Sequence, residues 1–361
     1  MSFLSSGAIL ITGGAGFVGS NLAIGLKKRF PGLSIIALDN LKRRGSEFNV
    51  PRLLDFSIQF IHGDVRNQED LINLPKAPSL IIECSAEPSV MAGYAGSHAY
   101  MINSNLSGSI NCFELARHHH AAIIFLSTSR VYPHEQINKL IFDETANRFE
   151  LDDQSRLPGI SHRGVAENFP IHGRRTLYGA TKYASELLLT EYSDMFNIPY
   201  VINRCGVIAG PWQMGKIDQG VFALWMAAHV FKHSLRYVGY GGMGKQVRDV
   251  LHIDDLLELI IYQTTNMASV QSKTYNVGGG TANAISLREL TQLCREISGN
   301  EIHIESDLSN RPGDVKWYIT DNSYVMKDTS WNVKANTERI MTNIWEWIRR
   351  HETELKPYLR C

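Results

Sequence analysis

Cysteine is scarce and badly placed for cross-linking. Five cysteines (Cys84, Cys112, Cys205, Cys294 and Cys361) are scattered through 361 residues, an odd count with no CxxC pair. A disulfide framework and a zinc site are both unexpected, and the reduced thiols of a cytoplasmic chain fit the pattern. Neither charge is in excess, since Lys+Arg and Asp+Glu both number 36. That argues against a nucleic-acid partner, although a local basic pocket stays possible. Residues 1–7 carry no basic leader, and the apolar run over 8–11 is too short for a signal peptide or a span, so no membrane partner is expected. Internal repeats and low-complexity tracts are also missing. His118, His119 and His120 are adjacent, so they splay around a helix end; no metal site is expected there.

What is present is material for a large core. Hydrophobic residues make up 44% and charged residues 20% of the chain. The length suits one large α/β domain plus a smaller one. Residues 8–12 form a short apolar run that reads as a buried parallel strand. A glycine-rich turn follows, then a helix over 20–29 that ends before Pro31-Gly32. Further strands are expected over 34–38, 58–61, 80–82, 122–127 and 200–203, with helices over 104–117 and 178–196 between them. Such alternation predicts a doubly wound parallel sheet of the Rossmann type.

Gly13, Gly16 and Gly19 have the spacing GxxGxxG. Glycine suits a turn that needs positive φ, a backbone that approaches a pyrophosphate, and a helix packed close to its strand. The helix N-terminus then offers free N–H groups to phosphate. Asp39 answers twenty residues after Gly19, where a carboxylate suits the adenosine ribose hydroxyls. An acid there repels a 2′-phosphate, which favours NAD over NADP. Lys42, Arg43 and Arg44 follow and weaken that preference, unless they merely form a solvated loop. Asp64 either accepts a bond from the adenine amino group or caps a helix.

Tyr178 and Lys182 are one helical turn apart, so they share a face. A tyrosine with a free pKa of about 10 is a poor base until a nearby cation stabilises its phenolate. The fifth strand ends in Ser127-Thr128-Ser129, and ligands sit at such strand ends. A hydroxyl there can bond the oxygen that Tyr178 deprotonates; Thr128 is the first choice and Ser127 the second.

Taken together, Gly13 to Gly19, Asp39, Asp64, Ser127-Thr128-Ser129, Tyr178 and Lys182 resemble the extended short-chain dehydrogenase/reductase family over the first two thirds of the chain. The resemblance implies a Thr128–Tyr178–Lys182 catalytic set and bound NAD. It implies that Phe17, Val18, Asn40, Val65, Ala86, Asn105, Ser127, Arg204 and Cys205 join the cofactor pocket. It also implies a nucleotide-diphosphate sugar substrate, met by Glu87, Gln219, Arg248 and Arg311. A homodimer through helices over 97–117 and 178–196 is implied as well. The NAD-binding domain is expected over 1–204 plus 245–283, and a smaller substrate-binding α/β domain over 205–244 plus 284–361. A narrower likeness, to the CDP-paratose 2-epimerase branch, rests on Gly164-Val165-Ala166-Glu167-Asn168-Phe169-Pro170, Asp218-Gln219-Gly220 and the stretch from Gly244 to His252.

Departures from the family pattern stand beside these matches. Val207 replaces an asparagine that often contacts substrate phosphate, and Glu83-Cys84-Ser85-Ala86-Glu87 replaces His-x-Ala-Ala. Glu87 either faces the sugar or caps the next segment. Ser129 and Arg130 stand where related 4,6-dehydratases carry acids, so dehydration is disfavoured and keto-epimerisation is expected. The open readings are 2-epimerisation, 4-epimerisation or related redox chemistry, and a non-catalytic dinucleotide sensor. The glycine loop 239–244 lines the nucleotide or forms a plain hairpin. Residues 275–278 are expected to return to the main sheet. Ser286 and Glu289 have capping-box spacing at the head of an amphipathic helix over 286–297.

Overall fold

A computed structural model describes residues 7–95, 97–155, 157–215 and 219–359. Seven strands make the central sheet: β1 (Ala8–Thr12), β2 (Ile35–Asp39), β3 (Gln59–His62), β4 (Pro78–Glu83), β5 (Ala122–Thr128), β6 (Tyr200–Cys205) and β7 (Lys273–Val277). Their order is β7-β6-β5-β4-β1-β2-β3, and every pairing is parallel. The strand order reverses between β1 and β4, and ligands bind at the carboxyl ends of strands at that point.

Alternate side chains of each inner strand feed opposite layers. Ile9, Ile11, Leu80, Ile82 and Ile124 enter one buried cluster, while Leu10, Ile81, Ile123 and Phe125 enter another on the opposite face. Both faces are therefore covered, which accounts for the near-continuous apolar runs. The main helices are α1 (Phe17–Arg29), α2 (Gly108–His119), α3 (Leu177–Phe196), α4 (Val221–Phe231), α5 (Ile253–Thr265), α6 (Leu287–Ser298) and α7 (Thr337–Arg350). A separate core gathers Phe222, Leu224 and Met226 of α4 with Leu290 of α6 and Ile340, Ile344 and Trp347 of α7.

The strands run longer at their carboxyl ends than the sequence pattern implies. Glu83, Thr128 and Cys205 are all strand residues, which aligns them on one rim of the sheet. Residues 275–277 do return to the main sheet, at the edge beside β6. The hairpin reading of loop 239–244 is corrected: Leu235–Val238 pairs in parallel with Ile304–Asp307, not with Val247–His252. Instead, Val247–His252 pairs with Val207–Ala209, Ala284–Ser286 and Trp317–Tyr318. The helix expected over 104–117 is interrupted by a π-helical stretch, Asn103–Ser107, ahead of α2. Among the described residues, no helix is long and apolar enough to cross a membrane.

Candidate active site

One cleft of about 890 Å³ runs across the carboxyl rim of the sheet. That volume falls within the usual range for ligand sites. Its floor at one end is the glycine turn. Gly13 has φ +62°, and a Cβ on Gly19 would lie 2.2 Å from the Gly13 carbonyl oxygen, so neither position accepts a side chain without strain. Gly16 caps α1 with no side-chain bond, and the first turn holds no acid. The exposed N–H groups and the helix dipole are thus left for an anion. Phe17 and Val18 also line this end.

Asp39 closes the same end. Its carboxylate accepts from the backbone N–H of Ala15 at 3.1 Å and of Leu41 at 2.8 Å. Burial pushes its pKa up, and those backbone bonds oppose the rise. Asn40 donates to Asp64 at 2.9 Å. Partial burial works against the Asp64 charge, but Arg66 and Asn40 hold its pKa down at about 2. Asp64 is not a helix cap: Asn67 caps the short helix Gln68–Ile72 by accepting from Glu69. Asn40, Asp64, Val65 and Ala86 all line the cleft.

The pair expected from sequence to react, Thr128 and Tyr178, lies in the same cleft. Thr176 caps α3, so Tyr178 sits in the helix's first turn, and Gly179 behind it packs on the Arg130 backbone. Thr128 ends β5, and both Thr128 and Tyr178 line the cleft. Burial pushes the Tyr178 phenol up to about 12, while its bond with Thr128 and the charge of Arg130 pull the other way.

Three residues assigned to the site from sequence lie behind its wall. The Lys182 ammonium is buried against Glu83 at 3.2 Å and stacks over the Phe125 ring at 3.9 Å. Ser85 donates to the other Glu83 oxygen at 2.6 Å. Arg204 does not line the cleft; its guanidinium clasps Glu186 at 2.7 Å and donates to the Tyr132 hydroxyl at 3.1 Å. Burial disfavours the Arg204 charge, but Glu186 and Tyr132 hold its pKa above the ordinary value. Asn105 braces the Glu87 backbone, accepting from its N–H at 2.7 Å and donating to its carbonyl at 3.1 Å. Cys205 and Ser127 stay on the cleft wall, with Ser127 donating to buried Glu186 at 2.5 Å.

Glu83 and Glu186 are the residues that sequence reasoning left without a structural task. Glu186 carried a signal, because it continues the Tyr178–Lys182 face one turn further. Glu83 carried only its departure from the usual histidine.

Glu87, Gln219, Arg248 and Arg311 also line the cleft. Asp218 lies outside the described residues. The Glu87 carboxylate also accepts from the Ser89 N–H at 3.1 Å, so it caps and faces the cleft at once. Arg248 binds Asp314 at 2.7 Å. Arg43 is more than a solvated loop residue, since it donates to Gln219 at 2.7 Å and to the Met214 carbonyl. Among the described residues, no group of three or more His, Cys, Asp or Glu could hold a metal.

A glycine cradle that excludes side chains, a helix N-terminus without an acid, and a carboxylate at the end of β2 fit a dinucleotide. The chain belongs to the NAD-dependent epimerase/dehydratase family, whose model matches residues 9–278. Its cofactor is NAD. CDP-paratose 2-epimerase of Salmonella typhi is 26% identical over 347 residues, covering 94% of this chain and 98% of that one. UDP-glucose 4-epimerase of Erwinia amylovora is 25% identical over 364 residues, covering 94% and 97%. The structure of Thermus thermophilus UDP-glucose 4-epimerase with NAD shares the fold at a TM-score of 0.76 and 24% identity, covering 95% of this chain and 99% of that one.

Proposed function

We infer that the protein is a nucleotide-sugar epimerase that inverts C2 of a CDP- or UDP-sugar through a transient ketone. The observation that carries this reading is the Thr128–Tyr178 pair on the cleft wall, followed by Ser129 and Arg130 where an eliminating enzyme needs acids. The likeness to CDP-paratose 2-epimerase supports the choice of carbon.

When bound, NAD supplies a hydride acceptor that can also give the hydride back. Gly13, Gly16, Gly19 and Asp39 would hold it. Tyr178 takes the proton of the reacting hydroxyl and later returns it. The Thr128 hydroxyl donates to the same sugar oxygen and holds it as the carbonyl develops. Arg248 and Arg311 hold the nucleotide end, with Gln219 beside it and Glu87 facing the sugar, while the keto sugar turns over in the cleft. In this division of labour, residues 1–204 plus 245–283 bind NAD, and 205–244 plus 284–361 bind the sugar nucleotide. The same resemblance supports a homodimer through α3 and the helical stretch ending in α2.

The test is proton NMR in D2O with purified protein and a panel of CDP- and UDP-sugars. A C2 epimer without deuterium at that carbon supports the reading. A C4 epimer, or a 4-keto-6-deoxy product carrying deuterium, replaces it with another activity of the family. Tyr178→Phe should lose turnover by about 100-fold or more while keeping NAD affinity. Because the Tyr178 phenol is held up at about 12 in the chain alone, its basic form grows as pH rises, so wild-type kcat/KM should climb with pH. A flat profile over the folded range removes Tyr178 as the base.

A further inference from the structure

Arg130 stands beside Thr128 on the cleft wall with a charge that burial and a neighbouring arginine disfavour. It belongs to the single turn Ser129–Val131, which is capped by Thr128. Its backbone presses on the first turn of α3: a Cβ on Gly179 would lie 2.1 Å from the Arg130 carbonyl oxygen. That contact fixes Arg130 relative to both Thr128 and Tyr178. Its guanidinium donates to the Gly313 carbonyl at 3.1 Å. It lines the main cleft and also a narrow annex of about 40 Å³ that it shares with His134, Arg175 and Arg248.

No carboxylate of the described residues pairs with Arg130, and Asp314, the acid in this corner, is taken by Arg248. Burial and the neighbouring Arg248 both disfavour the Arg130 charge, and Asp314 offsets them only in part. Arg130 and Arg248 thus share the one carboxylate of Asp314 in a partly dry corner, an arrangement that is costly until an anion arrives. A guanidinium fork matches phosphate oxygens in two directions at once.

On the nucleotide-sugar reading above, on which this inference rests, the diphosphate is the anion every substrate must carry. C1 of the sugar bears a phosphate oxygen and has no free hydroxyl. The first oxidisable carbon next to the phosphate is C2, whereas C4 lies across the ring. We propose that Arg130 grips the sugar-side phosphate and thereby places C2, rather than C4, against Thr128 and Tyr178. Regiochemistry is then set by how close the phosphate grip lies to the catalytic hydroxyls.

Calorimetric titration of CDP and UDP into NAD-loaded protein tests this without turnover. Arg130→Gln should weaken the tighter-binding diphosphate by about tenfold or more, since a charge-assisted bond is lost. Arg130→Lys should recover much of that loss, and NAD affinity should stay unchanged in both variants. Unchanged diphosphate affinity in Arg130→Gln overturns the proposal. So does a wild-type product inverted at C4, which leaves the nucleotide-sugar reading intact. Wild-type protein that binds neither CDP nor UDP overturns the CDP- or UDP-sugar reading itself.

Discussion

Lys182 sits 99 residues from Glu83 in sequence, yet their side chains form a pair with 1% and 0% exposure. Separating such a pair leaves a buried charge alone, which costs about 3–5 kcal/mol. Glu83→Gln should therefore lower the unfolding free energy by about that much in denaturant titration. Adding Lys182→Met should recover a good part of the loss, because the stranded ammonium is then gone as well; additive losses would show that the two residues are not coupled. The Tyr178–Lys182 spacing was legible in sequence, since both lie on one helix face. The glycine turn and Asp39 were legible too, because strand, turn, helix and acid follow one another locally. What Lys182 touches was not legible. Its partner comes from the end of another strand, and no local pattern records that meeting. Arg204 misled for the same reason: its motif position is adjacent to the cleft, but Glu186 and Tyr132 draw the side chain behind the wall.

Elements whose signals are local came through best. Ser286 accepts from the Glu289 N–H at 3.1 Å and Glu289 reaches back to the Ser286 N–H at 2.8 Å, completing the capping box at the head of α6. Ser286 also donates to the Asn147 carbonyl at 2.8 Å. Ser286→Ala should cost about 1 kcal/mol, read as a lower denaturation midpoint with unchanged slope. No change at all would mean that water replaces the cap at no cost. By contrast, α1 starts at Phe17, ahead of the expected position, because its cap is Gly16 and offers no side-chain signature. The pairing of Leu235–Val238 was not legible because its partner, Ile304–Asp307, lies far along the chain, while the glycine-rich turn next to it left a hairpin open as one of two readings. The π-helical stretch was invisible for a further reason. Asn105 faces inward there to hold Glu87, and its carbonyl accepts from the hydroxyls of Ser109 at 2.8 Å and Ser185 at 3.0 Å. Those are tertiary demands on one turn of helix.

At the scale of the molecule, α2 and α3 lie side by side. Phe113 packs on Tyr192 with ring centres 5.8 Å apart, and Arg117 covers the Phe196 ring at 5.4 Å. On the outer side, Leu187 remains 52% exposed and Met195 66%. A dimer through these helices, as inferred above, would cover such residues. Leu187→Glu should then convert a dimer into a monomer in analytical ultracentrifugation, and a wild-type monomer at micromolar concentration would remove the dimer. The seam between the two cores has a consequence of its own. The loop behind Asp39 is stitched across it, with Arg43 on Gln219 and Arg44 over the Tyr358 ring at 4.9 Å. Asn49 ties the same region back to the Ala15 carbonyl at 2.8 Å. A dinucleotide leaving at its adenosine end would have to unpick this stitching first. On the epimerase reading inferred above, every hydride returns to the sugar, so a cofactor held by these contacts need not leave between turnovers.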